Sequence, residues 1–178
     1  MPSREYIDAN GNVASVGVSF TNPTVIAQIL KNYSRLYEDG YGDFYNDTYF
    51  LMSDFNDLLG RALEPNSIYE RIATLKIDGV QNIDIQKDLE QNFQVSYSPE
   101  YISSLWCHKI PRIIANKAID EWLVWHYTFE ERGKWKKCSR CGQIKLAHPR
   151  FFSKNASSRD GFYSICKECR RNSAGQKS

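Results

Sequence analysis

Cys138-Ser139-Arg140-Cys141-Gly142 and Cys166-Lys167-Glu168-Cys169 are the two short runs whose reading decides how the C-terminal part of this chain folds. Each places two thiols three positions apart, so a tight turn lets both sulfurs face one point, and 24 residues separate the pairs. Four soft thiolates suit one tetrahedral ion, and zinc is the expected metal. Gly142 follows the first pair, where the backbone must turn back with positive φ, a conformation glycine adopts without steric cost. Two disulfides or four ordinary buried thiols are the alternatives, and the spacing favours the ion over both.

Charge is distributed unevenly around this motif. Residues 133–178 hold 12 Lys and Arg against only Asp160 and Glu168, a formal +10. Of the chain's 23 basic and 21 acidic residues, that leaves 11 and 19 in residues 1–132, a formal −8. Four thiolates and one dication would lower the tail to about +8, still a strong field for polyanions. Arg140, Lys145, Arg150, Lys154, Arg159, Lys167, Arg170 and Arg171 alternate with Phe151, Phe152 and Tyr163. Phosphate contact plus stacking is the chemistry such density suits, so nucleic acid is preferred over basic residues that merely solvate a small finger. His148 is expected at the surface, because four cysteines already complete a tetrahedron.

Within this finger, Leu146 to Phe152 and Phe162 to Ile165 are expected as the two strands of one small hairpin about the turn Ser157-Ser158-Arg159-Asp160-Gly161. Cys166 through Arg171 should then open a short helix. The order knuckle, hairpin, helix is treble-clef-like.

No apolar run approaches 18 residues and no basic-then-apolar leader opens the chain, so neither a membrane span nor a secretory signal is expected. Four of the five cysteines stand in metal spacing, with Cys107 left over, which fits a reducing cytoplasm better than an oxidised secreted scaffold.

The remaining sequence reads as helical. Asn10-Gly11 between Tyr6-Ile7 and an alternating Val16, Val18, Phe20 suggests an N-terminal hairpin with a type I′ turn, or an arm, over 1–21. Pro23 to Glu38 carries apolar residues at spacings of three and four behind the N-cap candidate Asn22. After Asp39-Gly40-Tyr41-Gly42-Asp43, Leu51, Met52, Phe55, Leu58, Leu59 and Leu63 form a second amphipathic run. The tyrosines and phenylalanines of these runs are expected to pack in the core. Pro65 should stop the second helix, Asn66-Ser67 cap a third ending near Gly79, and Asn82 or Asp84 cap a fourth.

Ser98-Pro99-Glu100 then combines a hydroxyl cap, proline at the first helical position and a carboxylate at the positive end of the dipole. Ile102, Leu105 and Trp106 form one stripe, leaving Tyr101, Ser104 and His108 on a free polar face with Lys109 and Arg112 beyond. A helix-turn-helix over about 82–112 follows: the stripe holds the helix on its scaffold, Tyr101, Ser104 and His108 reach base edges, and Lys109 and Arg112 reach phosphates. The connection Asn92 to Tyr97 is long for such a turn, and the surrounding body is acidic. Pro111 is expected to end this helix and start a long aromatic one to about Glu131. Exposed Trp122 or Trp125 there would point to a homodimer contact. These boundaries divide the chain into an arm at 1–21, a helical domain at 22–132, a zinc finger at 133–171 and a tail at 172–178.

Lys137-Cys138-Ser139-Arg140-Cys141-Gly142, Phe151-Phe152-Ser153-Lys154, Ser158-Arg159-Asp160-Gly161-Phe162-Tyr163 and Cys166-Lys167-Glu168-Cys169-Arg170 resemble the small zinc modules of phage and mobile-element proteins, some of which precede HNH or endonuclease VII-type nuclease cores. Only nine residues follow Cys169, so a His-Asn-His core is not expected after it. Residues 22–132 more loosely resemble helical phage regulators with a helix-turn-helix like region 4 of bacterial sigma factors. The resemblances imply a DNA-binding protein of a phage or prophage, in the cytoplasm of a bacterial host.

The expectation is therefore a mainly α, zinc-containing, non-enzymatic protein that binds double-stranded DNA for transcriptional control. Recognition of phage DNA for packaging is the alternative use. A protein-interaction adaptor, with RNA polymerase or a packaging protein as partner, is the alternative class. A nuclease built on His108, His126 or His148 is disfavoured, because a closed four-cysteine site leaves no open coordination position.

Overall fold

The computed structural model describes residues 6–7, 13–14, 19–40, 47–129 and 132–174. Two compact units make up the chain, 1–119 and 120–178. The fold is mainly helical, with small two-stranded sheets and the four cysteines gathered near the C-terminus.

In the first unit, β1 (Tyr6–Ile7) pairs antiparallel with β2 (Val13–Ala14) in the register Ile7↔Val13. The Asn10-Gly11 turn and Val16 and Val18 lie outside the described residues. Helix α1 (Pro23–Lys31) starts as its sequence suggests: the Thr24 N–H donates to Asn22 Oδ1 at 2.9 Å, and Pro23 occupies the first turn, where no N–H is needed. The expected single helix to Glu38 is instead broken at Asn32 (φ −109°, ψ 19°), and α2 (Tyr33–Gly40) follows. Asn32 competes with the helix for its own carbonyls, its side-chain amide donating to Gln28 O at 2.8 Å.

Helix α2 packs on α3 (Asp47–Ala62). A Cβ on buried Gly40 would sit 3.0 Å from the Tyr49 backbone, so the two helices approach closely there. Of the aromatic residues, Tyr33 packs over Phe55 and stacks on Tyr37, and its hydroxyl donates to Asn56 Oδ1 at 2.7 Å, whereas Tyr37 is half exposed. Tyr41, Phe44 and Tyr45 lie outside the described residues.

Ser67 caps α4 (Ile68–Ile77), accepting the Glu70 N–H at 3.2 Å. The helix closes in a Schellman motif: Val80 N–H donates to Leu75 O, Gly79 N–H to Lys76 O, and Gly79 supplies φ +79°. Helix α5 (Asn82–Phe93) takes Gln81 as its cap residue, not Asn82 or Asp84. Asn82 is employed elsewhere, donating to Pro99 O at 3.0 Å and so tying the start of α5 to the start of α6 (Pro99–Ser104). Because α5 extends to Phe93 and ends on left-handed Gln94 (φ 56°), only residues 94–97 separate it from the Ser98 cap of α6, a shorter connection than expected.

Pro111 does not start a new helix. Helix α6 runs through a π-helical turn, Leu105–Lys109, into α7 (Ile110–Phe129). In that turn Ile110 N–H reaches back five residues to Leu105 O, so the bonding register has already shifted where proline lacks its donor, and the missing hydrogen bond falls at a discontinuity. The turn packs against α1 and α4. Ile26, Phe55, Ile72, Ile85, Leu89, Ile102, Ile110 and Ile114 are all fully buried around it, one core drawing on six helices.

Candidate metal centre

The second unit begins inside α7 at Asp120, not at Gly133, because the last turns of that helix contact the cysteine module. Arg150 Nε donates to Asp120 Oδ1 at 2.5 Å, and the His148 and Tyr127 rings lie 6.0 Å apart. Gly133 fits where a Cβ would stand 2.7 Å from Leu146 Cδ1 and 2.8 Å from Tyr127 Cβ.

Two hairpins form where one was expected. Trp135–Lys137 (β3) pairs with Ile144–Leu146 (β4), and Phe152–Lys154 (β5) pairs with Phe162–Cys166 (β6), both antiparallel. Leu146 and Phe152 therefore belong to different hairpins. Pro149 lies in the turn between them, where Phe151 and Phe152 both donate to His148 O; with no N–H of its own it suits a turn better than a ladder. Helix α8 (Lys167–Ala174) completes the expected order of knuckle, hairpin and helix.

The knuckle is built by the β3–β4 connection. Cys138 N–H donates to Gln143 O at 2.8 Å and Gly142 N–H to Cys138 O at 3.0 Å, with Gly142 at φ +72°. The nearest atom to a Cβ there is 3.9 Å away, so glycine is required by the backbone angle and not by space. Cys166 ends β6 and Cys169 sits in the first turn of α8. Ser139 N–H and Oγ both donate to Ser164 O, and Arg140 Nη1 donates to Cys169 O at 2.9 Å, so the first pair is bound directly to the second.

The four sulfurs lie within 4.8 Å of one another, Cys138 and Cys169 at 4.0 Å. A tetrahedral ion with metal–sulfur bonds of about 2.3 Å needs sulfurs about 3.8 Å apart. A disulfide needs about 2.05 Å, and all five cysteines are free. Four cysteines at this spacing can hold one metal ion, closed on the Cys138 and Cys166 side by burial and exposed at Cys141.

Electrostatics within the cluster are asymmetric. Burial alone would raise the Cys138 thiol, but the N–H groups of Cys166, Cys141 and Arg140 outweigh it and bring it down to about 6. Burial and the surrounding sulfurs push Cys169 up to about 12. A dication at the centre removes that contrast, since a coordinating thiol is deprotonated outright.

Around the cluster the basic residues fall into two groups. Lys145 is bound to Glu168 at 2.6 Å and Arg150 to Asp120, while Arg140 holds the Cys169 carbonyl. Lys154, Arg159, Lys167, Arg170 and Arg171 are exposed, and the Arg170 guanidinium lies 4.7 Å above the Tyr163 ring. The sequence did not single out Lys136, which is largely buried. It bonds Asp160 at 2.6 Å and Phe162 O at 2.8 Å and lies over the Phe152 ring. That ammonium, the Ser158 hydroxyl and the Phe162 N–H hold the Asp160 carboxyl well below the usual range. A lysine in a basic lead-in gives no local sign of this role.

His148 stands apart from the cluster, its Nδ1 accepting the Arg150 N–H at 3.1 Å. His126 stacks on Trp122 and His108 is exposed, and among the described residues no other three His, Cys, Asp or Glu converge as a metal site. In the first unit Tyr101, Ser104, His108, Lys109 and Arg112 are all exposed, opposite buried Ile102, Leu105 and Ile110. Among the described residues no helix is long and apolar enough to cross a membrane. No family model, curated protein or solved structure matches this chain, so the four cysteines and their spacing are what mark a candidate metal site.

Proposed function

We propose that this chain is a zinc-containing protein that binds double-stranded DNA and serves transcriptional control in a phage or prophage. The zinc is structural: four sulfur donors leave no open position, and the ion holds a module whose own buried core is small. The observation that carries the DNA reading is the outward face of α6 and the π turn. Tyr101, Ser104, His108, Lys109 and Arg112 project from a helix anchored by Ile102, Leu105 and Ile110 and capped by Ser98. Side chains of these types can bond base edges and phosphates. The four-residue connection from α5 and the Asn82–Pro99 bond support a rigid helix-turn-helix. Acidity in the body is partly neutralised close by, Asp88 by Arg71 and Asp84 by Lys87, which lessens repulsion of a phosphate backbone.

Selection of bound duplexes from random DNA tests the proposal, followed by titration of the winner across salt. A sharp motif is expected, with log affinity falling against log salt at a slope corresponding to about four to eight phosphates. Uniform enrichment would remove the sequence-reading role of α6. Salt-independent or absent binding would overturn DNA as the partner.

A further inference from the structure

The cations of the second unit are not equivalent, and their pairing separates struts from free charge. Lys136, Lys145 and Arg150 each lie against a carboxylate of the same unit, Asp160, Glu168 and Asp120. They lend the surface little net field. On α8, Cys169 and Ser173 face inward, the latter's hydroxyl bonding Cys169 O, while Lys167, Arg170 and Arg171 are exposed. Their spacing of i, i+3 and i+4 sets them on one side of the helix. Arg171 is near enough to Glu168 to help hold that carboxyl below its usual range, but Glu168 bonds first to Lys145. Arg140 joins the same region through the Cys169 carbonyl.

From this arrangement we infer that the outer face of α8, with Arg140 and Tyr163, is a clamp for the phosphate backbone of duplex DNA. The Tyr163 ring supports the Arg170 guanidinium, which reduces the ordering cost of a long side chain and presents its planar fork to phosphate oxygens. Stacking of a splayed base on that ring would have to displace the arginine, so duplex backbone fits better than a single strand. Base reading by α8 is not implied: its first turn is committed to the metal knuckle, with Arg140 Nη1 donating to Cys169 O and the Cys169 sulfur 4.0 Å from that of Cys138. The clamp is a positioning contact, and it rests on the DNA-binding reading above.

Salt titration of the full-length, zinc-loaded protein on one duplex tests it. Lys167→Gln with Arg170→Gln should reduce the magnitude of the log–log slope by about 1.8, and Arg170→Gln alone by about 0.9. Lys134→Gln with Lys137→Gln removes the same charge from exposed positions of the same unit and should change the slope by less than about 0.5, a generic field effect. Tyr163→Leu should keep the slope and weaken binding about two- to fivefold. Zinc content equal to wild type shows that each variant retains the centre. Equal slope losses in the two double variants, or none in either, would overturn the clamp while leaving DNA binding intact. A wild-type protein that does not bind duplex DNA overturns the functional reading and the clamp with it.

Discussion

Replacing Phe152 by alanine should weaken metal binding although it removes no ligand atom. Phe152 is fully buried, in one cluster with Cys138 and Cys166, and Phe151, Phe162 and Ile165 pack around it. It is the largest fully buried side chain of the second unit. Truncating a buried phenylalanine costs about 3–5 kcal/mol, from lost transfer energy and the cavity left behind. In a module this small, metal binding and folding are one equilibrium, so the cost appears in the affinity for the ion. At about 1.4 kcal/mol per decade, the apparent zinc dissociation constant should rise by about two to three and a half decades. Phe129→Ala removes the same side chain where it is 74% exposed and should change the constant by no more than about twofold. Competition with a chromophoric chelator at neutral pH measures both. A Phe152→Ala protein whose affinity stays within tenfold of wild type would refute the reasoning, as would a wild-type module that keeps its tertiary fold after the metal is stripped.

Ser98→Ala removes the oxygen that accepts the Tyr101 N–H at 3.2 Å and should lower stability to urea by about 1 kcal/mol. Gly133→Ala drives a methyl into Leu146 and Tyr127, and a loss of about 1–3 kcal/mol in thermal unfolding of the second unit is expected. For pH, Arg71 bonds Asp88 and holds its carboxyl below the usual range. A depressed carboxylate contributes stability above its unfolded value of about 3.9, and that contribution disappears as pH falls through the folded value. Asp88→Asn should therefore start less stable at pH 7 and decline less steeply than wild type in acid below about pH 4; parallel acid-unfolding curves would count against the pair.

Much of the helical plan was legible because its signals are local. Asn22, Ser67 and Ser98 cap helices by bonding N–H groups two or three residues on, and Gly79 supplies the positive φ of a Schellman motif. Pro111 misled because its local rule holds only while the helix keeps a uniform register, and the π turn it meets is packed against α1 and α4. Asn82 misled for a similar reason: a good cap by type, it is drawn away to Pro99.

The sequence by itself determined which four thiols could hold a metal ion, since two short spacers and a glycine confine the sulfurs of each pair. Only the tertiary structure decided which basic residues are struts and which are free, because the partners stand far off along the chain. Lys136 meets Asp160, Lys145 meets Glu168 and Arg150 meets Asp120 across two hairpins and a helix end. Unlike an i,i+3 or i,i+4 pair on one helix, such long-range partners follow no spacing rule, so each is chosen by what folding brings within about 3 Å of it, and that distance is a property of the packed module alone.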